Sequence, residues 1–451
     1  MATRIEPKIL KGFRDQLPQV TIPRNQMIET LQRVFSCFGF APIDTPALEY
    51  AEILLGKGSQ ETDKQLYRFQ DQGGRDVALR FDLTVPLARF AAMHINELGT
   101  PFRRFHIAPV WRAEKPQRGR YREFIQCDFD IIGTHSVFAD AEIISVIHSA
   151  LNELKIGHRV RVNNRKILNG FLSQLGAADA ASGVSTSTAV LRAIDKLDKL
   201  GEEKVREELT SEAGLSGPQI DRVFSFLALS TSAATNSDLL AELKIFFAES
   251  ELASAGVSDL ARVISALEQA GIGDAQCGID LSIARGLDYY TGSVFETTML
   301  DLPHIGSICS GGRYDNLASL YTSRDLPGVG ASIGLDRILG AFEELGRFST
   351  KSTTANVLVT LLDQASEGRS LALANQLRGQ GINTELYPEP TKLGHQLKYA
   401  SKKGIEFAVI AGEQELAQGL CSVKRLSSGE QVDNLPLAAL ANYLHDSKAV
   451  D

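Results

Sequence analysis

Apolar positions along the chain recur with two periods, and the switch between them marks out its elements. Residues 23–38, PRNQMIETLQRVFSCF, set Met27, Ile28, Leu31, Val34 and Phe35 at helical spacing and stop at Gly39, a residue suited to leaving a helix. A Pro-punctuated extended run, APIDTPALEY, follows. Residues 55–75 read as a Gly-rich polar loop and a short hairpin. Val77 to Phe81 then read as a strand that delivers Asp82 and Thr84 ahead of a helix, with Pro86 just inside it. The cleanest period of two comes after Arg122. There Ile125, Cys127, Phe129 and Ile131 point one way, and Phe124, Gln126, Asp128 and Asp130 the other. Before it, Trp111 and Ala113 alternate with Arg112 and Glu114, and the turn Lys-Pro-Gln-Arg-Gly-Arg joins the two runs. This pattern predicts a long-looped antiparallel hairpin with one apolar face and one chemical face.

Phe138 to Lys155 is helical in pattern, and HRVRVNN reads as the next strand. Residues 166–265 change character: they are rich in Ala, Ser and Leu, form several helical segments and show no clear strand, which predicts an all-helical insertion. The sheet resumes at Cys277 and continues with a strand from Ser293 to Thr298. In SGGRYDNLASLY, Gly311 and Gly312 admit close backbone approach. Gly328, Gly330, Ala331, Ser332 and Gly334 predict a strand surface left bare for a flat ligand. After a linker, RFSTKSTTAN, residues 355–451 alternate strand and helix, as in a compact α/β domain with a mainly parallel sheet.

Composition narrows the picture. At 451 residues, with 43% hydrophobic and 23% charged residues, the chain suits a soluble globular protein of two or three domains. No apolar run approaches the ~20 residues of a membrane span, and MATRIEPKILKGFRDQLP has no signal-peptide core, so a cytoplasmic protein is expected. Five cysteines scattered without a C-x-x-C pair predict buried reduced thiols, not a zinc site or a disulfide framework. The net charge of -8 argues against wholesale coating of nucleic acid. Against that background Arg103 to Arg122 holds seven basic side chains and one acid, Glu114.

That reversal of sign directs attention to chemistry on the hairpin's polar face. Arginine's planar fork suits phosphate oxygens, and Asp130 suits a ligand's N–H donor or cation; the alternative is an edge hairpin with a solvated face. Asp82 and Thr84 either accept from an ammonium group or cap the helix that follows. Arg285, Tyr289 and Tyr290 flank a glycine bend and form either a pocket wall or part of a core. Arg337 opens a helix whose dipole favours anions. Gly-Lys-Gly-Ser is not a Walker loop, and G-x-G-x-x-x-G misses the dinucleotide fingerprint. Lys392, Lys398, Lys402 and Lys403 make either a modest basic face for RNA or ordinary solvated lysines.

These motifs together resemble the histidyl-tRNA synthetase family, a class II aminoacyl-tRNA synthetase family, over nearly the whole chain. The first helix with Pro46 resembles class II motif 1, VWRAEKPQRGRYREF motif 2 and GVGASIGLDRIL motif 3. RGLDYYTG and SGGRYDNL resemble the family's histidine-binding signatures, and YREFIQCDFDIIG is similar to its longer, eukaryote-like branch. With the composition breaks, the resemblance implies an α+β protein. An antiparallel-sheet catalytic domain would span 1–165 and 266–345, a helical insertion 166–265 and a C-terminal α/β anticodon-binding domain 354–451. It implies that L-histidine, ATP and tRNA(His) are substrates, that the chain is a homodimer, and that magnesium accompanies ATP without a protein carboxylate pair to mark its place. Asp82, Leu83, Thr84 and Gln126 would hold the amino acid's ammonium and carboxylate. Asp130 and Tyr290 would pair the imidazole nitrogens, lined by Tyr289 and Tyr314. Arg112 would hold the α-phosphate and touch histidine, Phe124 would stack on adenine, and Glu114 would belong to the ATP site. Arg120 and Arg337 would take the terminal phosphate. Arg285 would act with Arg112 as a catalytic residue, standing where other class II enzymes place a metal. Gln117 or Arg118 would read the discriminator base, and the helical insertion would clamp the acceptor arm. Two alternatives share this fold: a regulatory subunit of ATP phosphoribosyltransferase and a tRNA-sensing module, both without aminoacylation.

Overall fold

The computed structural model describes residues 4–55, 65–116, 120–176, 186–284, 290–347 and 351–447, and only the backbone at 198 and 199. They fall into two units, Met1–Arg14 with Met27–Leu345, and Asp15–Gln26 with Gly346–Asp451.

Among the described residues the first unit is built on an eight-stranded sheet of β1 (Ala41–Pro42), β5 (Phe102–Trp111), β6 (Glu123–Ile132), β11 (Gly328–Gly334), β10 (Ser307–Tyr314), β9 (Ser293–Met299), β7 (His158–Asn164) and β8 (Cys277–Ile279), in that spatial order. The two outer pairs run parallel and the inner pairs antiparallel. The expected hairpin is β5 with β6, in continuous register from Phe102–Ile132 to Trp111–Glu123. A small antiparallel sheet holds β2 (Leu48–Tyr50), β3 (Arg68–Gln70) and β4 (Asp76–Leu79). β4 ends two residues before the strand expected there, at Leu79, which pairs with Leu48 at the start of β2; Arg80 then gives its guanidinium to the Thr45 and Pro109 carbonyls.

The alternation along β6 separates two environments. Cys127, Phe129 and Ile131 are buried, and Phe129 packs on Phe35 at 4.8 Å between ring centroids. Phe35 belongs to the helix Pro18–Cys37, whose Met27, Leu31 and Val34 are buried beside it. That helix begins five residues before the expected start, with Pro18 rather than Pro23 as its first residue, a position where a missing N–H is harmless. The other face of β6 carries Gln126, Asp128 and Asp130 and is buried as well, so it is not the solvated face of an edge hairpin. Behind β10, the helix Phe138–Glu153 offers Asp140 to Arg313. That guanidinium donates to both Asp140 oxygens and to the carbonyls of Thr134 and Ser136, a structural use of the arginine in the Ser-Gly-Gly-Arg-Tyr run.

The helices Arg165–Gln174, Thr186–Ile194, Leu197–Ser211, Gly217–Ser232, Asn236–Phe246 and Glu251–Gln269 account for the predicted helical stretch. Phe171 and Phe226 stack at 4.2 Å in its core. Gly170 and Gly256 let the first and last of these helices touch: a Cβ at Gly256 would fall 2.9 Å from Ile167.

In the second unit β12 (Val357–Val359), β13 (Thr384–Leu386) and β14 (Phe407–Ile410) are parallel, while β15 (Leu420–Arg425) and β16 (Gln431–Pro436) continue antiparallel. The sheet is therefore mixed instead of mainly parallel. β15 and β16 are joined by too few residues for a crossover, so only a hairpin closes there. Of the four lysines expected to face RNA or solvent, Lys403 is engaged: it pairs with Glu385 at 3.4 Å and lies 4.6 Å over the Tyr399 ring. All five cysteines are free and four are buried. No helix among the described residues is long and apolar enough to cross a membrane.

Candidate active site

Register across the large sheet assembles the site, because directly paired residues project from the same face. Asp128 faces His106 on one side and Ser332 on the other, Ser332 faces Ser310, Ser310 faces Glu296, and Glu296 faces Arg161. The neighbouring row of this face is Arg104, Asp130, Gly330 and Gly312. A third row starts with Ala108, Gln126 and Gly334. One polar floor thus crosses strands that lie far apart in sequence.

The glycines of β11 do not leave this floor bare. A Cβ at Gly330 would lie 1.9 Å from Asp130 Oδ1, and one at Gly328 would lie 2.3 Å from the Tyr314 ring. The space that was expected for a flat ligand is filled by these two side chains, since the β6–β11 and β10–β11 pairings bring them directly over the glycines. Among the described residues the strand remains open toward Ser332 and Gly334. There it lines a cavity of about 250 Å³ with Arg112, Glu114, Arg120, Phe124, Gln126, Ser310 and Arg337.

The cavity gathers six of the residues expected from sequence. Arg112 donates from Nε to the Phe81 carbonyl at 3.0 Å, which anchors its side chain, and its guanidinium lies 5.1 Å from the Phe124 ring centroid. Glu114 stands 3.9 Å from Arg112 and 4.0 Å from Arg120. Arg337, in the first turn of the helix Leu335–Glu344, donates to the Ser307 carbonyl. Gln126 donates to Ser332 Oγ at 2.8 Å and toward Asp128 at 3.3 Å, leaving its own Oε1 buried and, among the described residues, without a partner. Asp336 and Tyr121 also line the wall and were not anticipated. Asp336 accepts from the Ile125 amide and pairs with Arg14, whose guanidinium also covers Tyr121 at 3.6 Å. No local pattern connects Arg14 to Asp336.

Beside the cavity lie most of the residues expected to hold the amino acid. Asp82 is buried and accepts from the Val85 amide at 3.1 Å, which satisfies one donor in the first turn of the helix Thr84–Leu98, although Leu83 holds the N-cap position itself. Burial pushes its carboxyl up, opposed by that amide and by the charges of Arg112 and Arg104. The Leu83 side chain is fully buried against Ala108 and Val110, and its carbonyl accepts from Arg104 at 3.3 Å, so it contributes backbone alone. Thr84 opens the helix. Asp130 Oδ1 accepts from the Tyr314 hydroxyl at 2.5 Å, while Oδ2 lies 2.6 Å from Arg104 Nη2. Tyr290 packs with Tyr314, Ala88 and Leu317. Asp128, buried and repelled by Asp130 and Asp82 against the attraction of Arg104, is pushed up to about 7. His106 is pushed down to about 4 by burial and by Arg104 and Arg80. Arg285 and Tyr289, together with Gln117 and Arg118, lie outside the described residues. Sequence reasoning assigned no role to Arg104. Its only signal was membership of the basic run, and its partner becomes visible only once β5 is set against β6.

Comparison with known proteins agrees with this architecture. A family model for histidyl-tRNA synthetase matches residues 12–338, and one for an anticodon binding domain matches 356–447. The histidine–tRNA ligase of Rhodopirellula baltica is 53% identical over 430 residues, covering 95% of each chain. That of Wolinella succinogenes is 46% identical over 441 residues, covering 98% of each. The crystal structure of histidyl-tRNA synthetase from Nostoc sp. PCC 7120 superposes with a TM-score of 0.87 at 35% identity, over 98% of this chain and all of that one.

Proposed function

The chain belongs to the histidyl-tRNA synthetase family, and from that premise we propose how its residues perform the reaction of an ATP-dependent histidine–tRNA ligase. In the first step the carboxylate of L-histidine attacks the α-phosphorus of ATP, a P–O–C link forms, the bond to the β-phosphate breaks, and pyrophosphate leaves. In the second, the terminal ribose hydroxyl of tRNA(His) attacks the aminoacyl carbonyl, AMP leaves, and the hydroxyl proton is released. No covalent enzyme intermediate is needed; the protein supplies position and charge.

The observation that carries this reading is the convergence of Arg112, Arg120 and Arg337 on one cavity over the same sheet face that carries the buried carboxylate of Asp130. Three guanidinium groups around about 250 Å³ suit a polyphosphate. Arg112 takes the α-phosphoryl oxygens, Arg120 and Arg337 the terminal phosphate, and Phe124 the adenine face. Asp82, Thr84 and Gln126 receive the ammonium and carboxylate of histidine, with the backbone of Leu83. Asp130 and Tyr290 address the imidazole nitrogens, and Tyr289 and Tyr314 line that end. Arg285 adds charge at the α-phosphorus as a catalytic residue. Of the two carboxylates on the cavity wall, Asp336 is held closely by Arg14 and the Ile125 amide, whereas Glu114 lies at 3.9 and 4.0 Å from Arg112 and Arg120; Glu114, the more loosely held, would face magnesium carried in with ATP. Bound there, the ion neutralises phosphate charge.

Residues 1–165 with 266–345 are assigned to catalysis, 166–265 to the tRNA acceptor arm and 354–451 to the anticodon; a cytoplasmic homodimer is the form proposed. The alternative of a regulatory subunit of ATP phosphoribosyltransferase is not favoured, since relatives at 46–53% identity over 95% or more of the chain are histidine–tRNA ligases. Histidine-dependent exchange of pyrophosphate into ATP, followed by charging of tRNA(His), tests the assignment. Absence of exchange with folded protein, histidine and ATP would refute it.

A further inference from the structure

Among the described residues Arg104 is the largest fully buried side chain, with 0% of its surface exposed, yet the proposed reaction gives it nothing to do. Among the described residues its Nε and Nη1 have no hydrogen-bond partner. Sealing a guanidinium from water with two donor atoms unsatisfied is costly, and a core of apolar side chains at that position would avoid the cost. The contacts it does make are specific. Nη2 lies 2.6 Å from Asp130 Oδ2, and the same nitrogen donates to the Leu83 carbonyl at 3.3 Å. Asp130 belongs to β6, and Leu83 to the turn between Asp82 and Thr84. One side chain therefore ties the strand carboxylate to the turn. Tyr314 donates a hydrogen bond to the other Asp130 oxygen at 2.5 Å, so among the described residues one carboxylate oxygen is held by a hydrogen bond and the other by the charge of Arg104 alone.

We propose that Arg104 is the positioning residue of the histidine slot: by gripping Asp130 and the Leu83 carbonyl together, it sets the span between the group that reads the imidazole and the turn that receives the α-ammonium. This rests on the assignment of Asp130 and Asp82–Thr84 to histidine made above. A ligand with a cationic group at one end and hydrogen-bonding nitrogens at the other is selected by that span as well as by its partners, because a rigid slot discriminates against shorter and longer analogues. The charged and titratable groups around the clamp are Asp128 on β6, His106 on β5, Asp82 and Arg112 from the turn and strand end, and Tyr314 from β10. Burial raises the Asp130 carboxyl and Arg104 opposes that rise, so without the guanidinium Asp130 protonates at higher pH.

The test is pyrophosphate exchange with Arg104→Met, Arg104→Lys and Asp130→Asn in the full chain, with thermal unfolding as the check of folding. For Arg104→Met the KM for histidine should rise by about tenfold or more while the KM for ATP stays within about twofold, the size expected for losing a charge-assisted contact on one substrate alone. The acidic limb of kcat/KM for histidine should also move to higher pH; free histidine titrates alike in every assay, so the shift belongs to the enzyme. Arg104→Lys, which keeps the charge but spans the two partners poorly, should recover part of the loss. An unchanged histidine KM and pH limb in Arg104→Met, or equal losses for histidine and ATP, would overturn the proposal. If the methionine variant does not fold, the lysine variant decides: a selective rise in histidine KM supports the clamp, and wild-type values refute it. If Asp130→Asn leaves histidine KM untouched, the slot assignment itself fails, which is a different outcome from a silent Arg104.

Discussion

Single side chains in this site are held by contacts that make their removal informative. A Cβ at Gly330 would meet Asp130 Oδ1 at 1.9 Å, so Gly330→Ala should push the carboxylate aside. We expect a raised histidine KM with ATP binding retained, and a stability loss of about 1–3 kcal/mol from overpacking, measurable by denaturant unfolding. Arg285→Ala should slow pyrophosphate exchange by ~10²–10³, the usual effect of losing one transition-state donor, and a near-normal rate would remove Arg285 from the mechanism. Asp128 supplies a pH prediction. Its carboxyl stands near 7 in the folded protein, above the ordinary value, so the folded state holds the extra proton between about pH 4 and 7. Its contribution to stability is then full below the unfolded pKa and is lost as pH rises through 7. His106, lowered to about 4, acts in the opposite sense between about pH 4 and 6.5. Asp128→Asn removes only the first effect, so the Tm of the variant relative to wild type should climb between pH 5 and 8. A flat difference would contradict it. At this scale the sequence marked Arg112, Arg120, Phe124, Gln126 and Arg337 as polar or aromatic groups on a predicted hairpin, in its turn and at the start of a helix. Of Arg104 it gave only membership of the basic run and of Asp336 no role, since both depend on partners distant in the chain.

Elements are fixed by a few buried polar ties as much as by apolar faces. The clearest is Arg313, which joins β10 to the helix Phe138–Glu153 through Asp140, with Asp140 fully buried. Arg313→Met would strand that carboxylate, and we expect a loss of about 3–5 kcal/mol in denaturant unfolding. Pairing it with Asp140→Leu should return much of the loss, since removing both charges relieves the desolvation cost; no recovery would show that the tie acts through its carbonyl contacts at Thr134 and Ser136 instead. The hairpin of β5 and β6 was legible because its apolar residues alternate without interruption. β16 was not, because Gln-Val-Asp-Asn-Leu-Pro is exposed nearly throughout and carries no buried face to pattern it. The helix from Pro18 was under-read for a related reason: its first turns hold few apolar residues, and a proline at position 23 looked like a start when it lies within.

At the scale of the whole molecule, the division into two units carries a separable prediction. Ending the chain after residue 347 removes the domain matched by the anticodon-binding model but leaves the sheet and cavity of the first unit. Pyrophosphate exchange should persist, while charging of tRNA(His) falls by roughly 10²-fold or more through loss of a second, linked binding surface. Equal loss of both activities would mean that the catalytic unit does not stand without its partner.

Hydrophobic periodicity is a local property, and so the chain by itself determined its elements: the alternating hairpin, the helical stretch after residue 165, the α/β segment at the end. The residue types in its motifs likewise determined the chemistry to look for. What folding alone decided is register. Arg104 meets Asp130 because β5 and β6 are aligned by their full set of hydrogen bonds, and Gly330 meets Asp130 because β11 lies on the other side of β6. A shift of one residue in either pairing would turn every side chain to the opposite face. That choice is made by the simultaneous burial of both faces of the sheet, a condition no single segment contains.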